Sequence, residues 1–215
     1  MNVGGHQHPP STLNGMLRCA ITDRSLLPGD ESQRRRGLAE QAARWAAEGI
    51  DLIQLREKDL GPLELGDIAR PMIEAIASHP GTRLLVNNCL RAAVESEAHG
   101  VHLPSNAVLL PEEVRRRYAV FSLPRPTVTV SCHSLAEVQI ARRNQADAIL
   151  FAPVFGKIVD GETVSPAAGL DVLRAACEAA GPIPVYALGG VTEENAPACV
   201  AAGAVGIAGI RLFHK

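Results

Sequence analysis

Three observations predict a single (β/α)8 barrel domain. Short apolar segments alternate with helix-length amphipathic segments eight times between residues 16 and 210. The apolar segments read as runs more than as strict alternators, the pattern of parallel strands covered on both faces. The chain has 215 residues, a length at which one sizeable core of this kind is built. An open Rossmann sheet is the runner-up, but it should show GxGxxG after an early strand, and none follows the first strand here.

The elements follow in order. Residues 1–15 read as a disordered tail, in which His6 and His8 offer no more than a stray metal contact, and the barrel domain runs from 16 to 215. MLRCAITD (16–23) is the first strand. SQRRRGLAEQAARWAAEG (32–49) has helical spacing, with Leu38, Ala42 and Trp45 or Ala46 on one side and Gly49 as its stop. IDLIQLREK (50–58) is the second strand, and 62–79 is a helix that Pro71 should kink or break. TRLLVNN (82–88) is the third strand, with the short helix CLRAAVESEA behind it, and GVHLP (100–104) is the fourth.

Pro111 and two following acids open the next helix. TVTVSCH (127–133) is the fifth strand; Ser134 caps the helix after it, with Glu137 placed to complete a capping box. AILFAPVF (148–155) is the sixth, and KIVDGETVSP is a polar loop long enough to act as a lid. A helix ending at Gly181 leads to IPVYALGG (183–190), the seventh strand. Thr192 caps the next helix, and AVGIAGI (204–210) is the eighth strand, leaving room for a very short final helix or none.

Composition removes several function classes. The net charge is −2, with scattered Lys and Arg, and aromatic residues make up 3% of the chain. That speaks against a nucleic-acid tract, a polybasic membrane anchor or a stacking platform. Five widely spaced cysteines without CxxC predict reduced thiols and a cytoplasmic protein. No apolar run reaches membrane-spanning length, and no signal peptide is visible.

In a barrel the chemistry belongs at the C-terminal ends of the strands. The two-residue period puts Gln54, Arg56 and Lys58 on one face of the second strand. Two cations at the mouth suit a phosphate or pyrophosphate, because Arg forks onto two oxygens and Lys adds a compact charge. Asn87 and Asn88 end the third strand, as turn caps or as substrate contacts. His102, on the fourth, reads as a structural histidine or a substrate contact. Thr129, Ser131 and His133 share a face of the fifth strand; Cys132 faces the helices.

His133 is the candidate acid–base, since imidazole titrates near neutral pH. Ser131 orients a ligand or the ring; it is too near His133 on one strand to form a hydrolase pair with it. Gly189 and Gly190 after the seventh strand, and Ala208 and Gly209 in the eighth, expose backbone amides for a phosphate. Lys157 in the long loop is placed to reach that phosphate. Metal ligands are poor at the mouth. Asp23 and Asp160 are the acids within range, and nothing in the spacing pairs them.

The ordered set IQLREK, LLVNN, GVHLP, VSCHSLAE, ILFAPVF, YALGGVTEENA and AGAVGIAGI resembles the thiamine-phosphate synthase and TenI family over almost the whole chain after the tail. The resemblance implies the same barrel and a role in thiamine biosynthesis. In the synthase branch, a hydroxymethylpyrimidine pyrophosphate is joined to a thiazole phosphate with Mg²⁺, and Arg56 and Lys58 match the pyrophosphate-binding pair. This chain has Asn88 and Ala107 where that branch carries its metal aspartates, and APVFGKIVDG where it carries a threonine-rich segment. Losing the carboxylates removes the means of holding a metal–pyrophosphate complex.

HLPS and the SxHSLxE segment are nearer the TenI branch. That branch implies an isomerase, with metal-free tautomerisation of a thiazole carboxylate phosphate and His133 as the catalytic histidine. Arg56 and Lys58 would hold the carboxylate and the glycine-rich amides the phosphate. The expected partner is therefore a small phosphorylated thiazole, with no cofactor unless the synthase reading holds. A synthase and a non-catalytic phosphate-ligand-binding regulator stand as alternatives, and a homo-oligomer is left open.

Overall fold

The computed structural model describes residues 15–159 and 162–214, and for 157–165 the backbone only. Eight strands close into a parallel barrel. They are β1 (Leu17–Ile21), β2 (Leu52–Leu55), β3 (Arg83–Asn87), β4 (Gly100–Leu103), β5 (Thr127–Cys132), β6 (Ala148–Phe151), β9 (Val185–Ala187) and β10 (Gly206–Gly209). Strand β10 pairs with β1 through Leu17↔Gly206 to Ala20↔Gly209, which closes the ring. The fold is the (β/α)8 barrel expected from the alternation.

The helices are α1 (Glu31–Ala47), α2 (Pro62–Ile76), α3 (Leu90–Glu95), α4 (Pro111–Val120), α5 (Leu135–Arg143), α6 (Leu170–Ala180) and α7 (Ala196–Ala201). A 3₁₀ turn at Arg211–Phe213 stands where an eighth helix would lie. It seats the chain under α1: Trp45 Nε1 donates to the Phe213 carbonyl at 2.8 Å, and Gln41 Nε2 meets His214 Nδ1 at 3.0 Å. None of the helices among the described residues is long and apolar enough to cross a membrane.

The apolar surface is divided between two shells. Outward-facing strand residues such as Ile53, Leu55, Val101 and Val128 join Leu38, Trp45 and Met72 of the helices in one core. A second core collects Cys132, Ile149, Phe151 and Leu173 on the other side. The barrel interior is filled by Cys19, Ile21, Leu85, Leu150, Tyr186 and Ala208. Strands buried on both faces therefore carry little polar alternation below the mouth.

Three expectations are corrected. Of the kink or break expected at Pro71, the break does not occur: α2 runs through it. Pro71 and Asp67, four residues earlier, are both exposed, so the carbonyl freed by the missing N–H faces water. KIVDGETVSP is not an irregular loop: β7 (Lys157–Val159) and β8 (Glu162–Ser165) form an antiparallel hairpin beside the barrel. Thr192 does not cap a helix directly. Its N–H donates to Asn195 Oδ1 at 2.8 Å in a turn, and α7 begins only at Ala196.

Candidate active site

A cavity of about 890 Å³ opens at the C-terminal ends of the strands. Its wall includes Gln54, Arg56, Lys58, Asn88, His102, Ser131 and His133, seven of the residues singled out from sequence. The pairing register explains how they meet. Asn87 lies opposite His102, and His102 opposite Thr129, so the inward positions of β3, β4 and β5 fall at one height. Gln54 Nε2 donates to Asn87 Oδ1 at 2.8 Å, extending the polar layer to β2.

His133 follows the last residue of β5. Its Nδ1 lies 2.7 Å from the Ala152 carbonyl oxygen at the end of β6. A carbonyl only accepts, so Nδ1 carries the hydrogen, and in the neutral ring Nε2 keeps the free lone pair. The His133 backbone N–H donates to Glu137 Oε2 from α5. Ser134 does cap that helix, accepting from Glu137 N at 3.3 Å. The reciprocal half of the expected capping box is displaced: the Glu137 carboxylate reaches His133 and so anchors the histidine backbone. Cys132 is buried, as expected of a packing residue.

His102 is 3% exposed, with Nδ1 2.8 Å from Thr129 Oγ1 and Nε2 2.9 Å from Ser131 Oγ. Burial, and then the neighbouring Arg56 charge, push its pKa down to about 3. It is a neutral ring with both nitrogens occupied by protein.

Arg56 and Lys58 lie beyond the end of β2, in the loop that rims the cavity. Neither side chain has an ion-pair partner among the described residues. Two residues not singled out as functional hold this segment. Thr22 Oγ1 accepts from Arg56 N at 2.9 Å and donates to Glu57 Oε1 at 2.6 Å. Glu57, 5% exposed, is paired with Arg24, whose Nη1 lies 2.9 Å from Glu57 Oε2. The anchor turns Glu57 away from solvent and leaves its two cationic neighbours at the rim. A polar Thr ending an apolar run, 34 residues before Arg56, is the only local signal for it.

The glycine sites stand to one side. Gly189 (φ +91°) and Gly190 (φ +66°) pack so closely that a Cβ on either would lie 2.7 Å from Pro153 Cβ or Phe155 Cβ. Ala208 and Gly209 are buried in β10. The cavity wall is formed by their neighbours Leu188 and Ile210, and not by these four residues. Lys157 opens β7, and its side chain lies outside the described residues, as does Asp160. Asp23 caps the 3₁₀ turn Arg24–Leu26 and is not on the cavity wall.

Magnesium takes oxygen ligands, including one or two carboxylates. Beyond β3 and β4 the wall presents Asn87, Asn88, Ser105 and Asn106. Among the described residues its one carboxylate is Glu57, already engaged by Thr22 and Arg24, and no group of three candidate metal ligands occurs. This donor set does not fit a magnesium–pyrophosphate complex.

A closed parallel barrel with its cavity at the strand ends, two cations at the rim and an exposed histidine on the cavity wall defines a barrel of the enzyme type. The family model described as "TMP-TENI: Thiamine monophosphate synthase" matches residues 19–213, and the chain belongs to that family. It is 38% identical over 165 residues to a putative thiamine-phosphate synthase 2 of Aquifex aeolicus, covering 77% of this chain and 83% of that protein. It is also 38% identical over 165 residues to a putative thiamine-phosphate synthase of Geobacter sulfurreducens, covering 75% of this chain and 72% of the other. Among solved structures, the thiamine phosphate pyrophosphorylase of Pyrococcus furiosus superposes with a TM-score of 0.72 at 26% identity, over 92% of this chain and 86% of that one.

Proposed function

We propose that this chain is a thiamine-biosynthesis enzyme that tautomerises a thiazole carboxylate phosphate, with His133 as the proton carrier and without a metal. The observation that carries the reading is the His133–Ala152 hydrogen bond, which leaves Nε2 as the free base at the cavity wall. Aromatising the thiazole moves a proton from one ring-system atom to another. Nε2 takes the proton, forming an imidazolium whose Nδ1–H stays bonded to the Ala152 carbonyl. The proton then returns to the substrate, so none is gained or lost overall. Arg56 and Lys58 at the rim hold the carboxylate. The phosphate tail lies on the side of the cavity walled by Leu188 and Ile210.

The test is an ultraviolet time course with the thiazole carboxylate phosphate tautomer in metal-free buffer. The wild-type chain is expected to aromatise it, and His133→Asn to lose about 10²–10⁴-fold in rate while keeping the fold. Unchanged turnover in the variant removes His133 from the role. A second reading, condensation to thiamine phosphate, is favoured by the names of the relatives, which are thiamine-phosphate synthases. Against it stands the donor set at the mouth. Magnesium-dependent pyrophosphate release from the two condensation substrates would establish it in place of the tautomerase.

A further inference from the structure

Two hydroxyls and one buried imidazole form a closed chain behind the cavity wall. His102 is 3% exposed and Thr129 is 1% exposed, while Ser131 lies half-buried on the wall itself. Nδ1 meets Thr129 Oγ1 at 2.8 Å, and Nε2 meets Ser131 Oγ at 2.9 Å. A neutral imidazole has one N–H and one lone pair. One contact is therefore donated by the ring and the other by a hydroxyl, and only two arrangements exist.

With the ring hydrogen on Nδ1, the ring donates to Thr129 and the Ser131 hydroxyl donates to Nε2. The Thr129 hydrogen is then left without an acceptor among the described residues, and Ser131 shows the cavity only lone pairs. With the hydrogen on Nε2, the ring donates to Ser131 and Thr129 donates to Nδ1. Every buried hydrogen of the chain is met, and the Ser131 hydrogen is free to turn into the cavity. An unmet buried hydroxyl hydrogen is costly, so the second arrangement is favoured. A doubly protonated ring would leave the Thr129 hydrogen equally unmet. It is further opposed by burial and by Arg56, which together hold the His102 pKa near 3.

We infer that His102 is a positioning residue that fixes the Ser131 hydroxyl as a hydrogen-bond donor into the cavity. The wall then carries a complementary pair two residues apart: Ser131 donates and His133 Nε2 accepts. Such a pair fits a ligand that loses a proton at one atom while an adjacent acceptor, an imine nitrogen or a carboxylate oxygen, gathers negative charge. For the substrate's identity this rests on the reading proposed above; the direction of the hydrogen bonds does not.

The experiment is ¹⁵N NMR of the histidine rings in the full chain, with His102 identified by loss of its signals in His102→Gln. The wild-type ring is expected neutral and Nε2-protonated between pH 8 and pH 5. Ser131→Ala should leave it Nε2-protonated, because the buried Thr129 hydroxyl still has no acceptor but Nδ1 and the freed Nε2–H faces the cavity. A wild-type ring protonated on Nδ1, or on both nitrogens at pH 6, overturns the inference. If the wild-type chain aromatises the thiazole, Ser131→Ala should cost tenfold or more in kcat. His102→Phe should then add less than twofold to it in the double variant, and losses that multiply also overturn the inference. If the wild-type chain has no turnover, the proposed function fails, while the ring tautomer still decides this point.

Discussion

Lowering the pH from neutral should destabilise this protein through one buried ring. A histidine ordinarily titrates near 6.5, and folding pushes His102 down to about 3. Below about pH 6.5 the unfolded chain therefore binds a proton there that the folded chain refuses. Stability from this group is complete above that pH and drains away as the pH falls toward 3. One proton corresponds to about 1.4 kcal/mol per pH unit. Between pH 6.5 and pH 4 the loss is roughly 3 kcal/mol, a large part of the stability of a typical domain.

The assay is urea unfolding at half-unit pH steps, followed by the fluorescence of Trp45, the chain's single tryptophan, 2% exposed. His99 and His214 are also lowered by burial and contribute in the same direction. The comparison with His102→Gln isolates His102, because the amide can still donate to Ser131 and accept from Thr129 without titrating. The variant is expected to be less pH-sensitive by one proton over this window. Parallel stability curves for the two proteins would refute the reasoning.

Two further perturbations test the frame around the cavity. Glu57→Gln removes the buried charge that meets Arg24 and should cost ~2–3 kcal/mol in urea unfolding; a neutral result would mean that Asp59 and Glu31 hold Arg24 unaided. Gly190→Ala forces a Cβ to 2.7 Å from Phe155 Cβ at φ +66° and should cost about 1–3 kcal/mol, read as a lowered Tm.

The barrel was legible because its strands are buried on both faces, so LLVNN, ILFAPVF and AVGIAGI announce themselves as runs. The polar mouth was legible for a related reason. Once the strands are placed, the two-residue period aims Gln54, Ser131 and His133 inward, and the cavity gathers all three. What escaped depended on contacts between distant segments. The partner of His133 is a backbone carbonyl 19 residues away, and that of Glu57 is an arginine 33 residues away, neither of which any local pattern encodes. The hairpin was a different failure. Asp160–Gly161, with Ile158–Val159 before it and Thr163–Val164 beyond Glu162, is a hairpin signal present in the sequence, set in an otherwise polar segment.

Ser131 lies in β5 and His133 directly follows it, alternating with Val130 and Cys132, which pack against the helices. Their spacing is held by the strand at Ser131 and, at His133, by the backbone N–H bonded to Glu137 and the ring bonded to the Ala152 carbonyl. Insertions in the surrounding loops can reshape which molecule enters without moving one group relative to the other. A single-residue insertion within β5 would swap the inward and outward sets at a stroke. What enters the cavity can therefore be changed in small steps, whereas the spacing of this pair cannot.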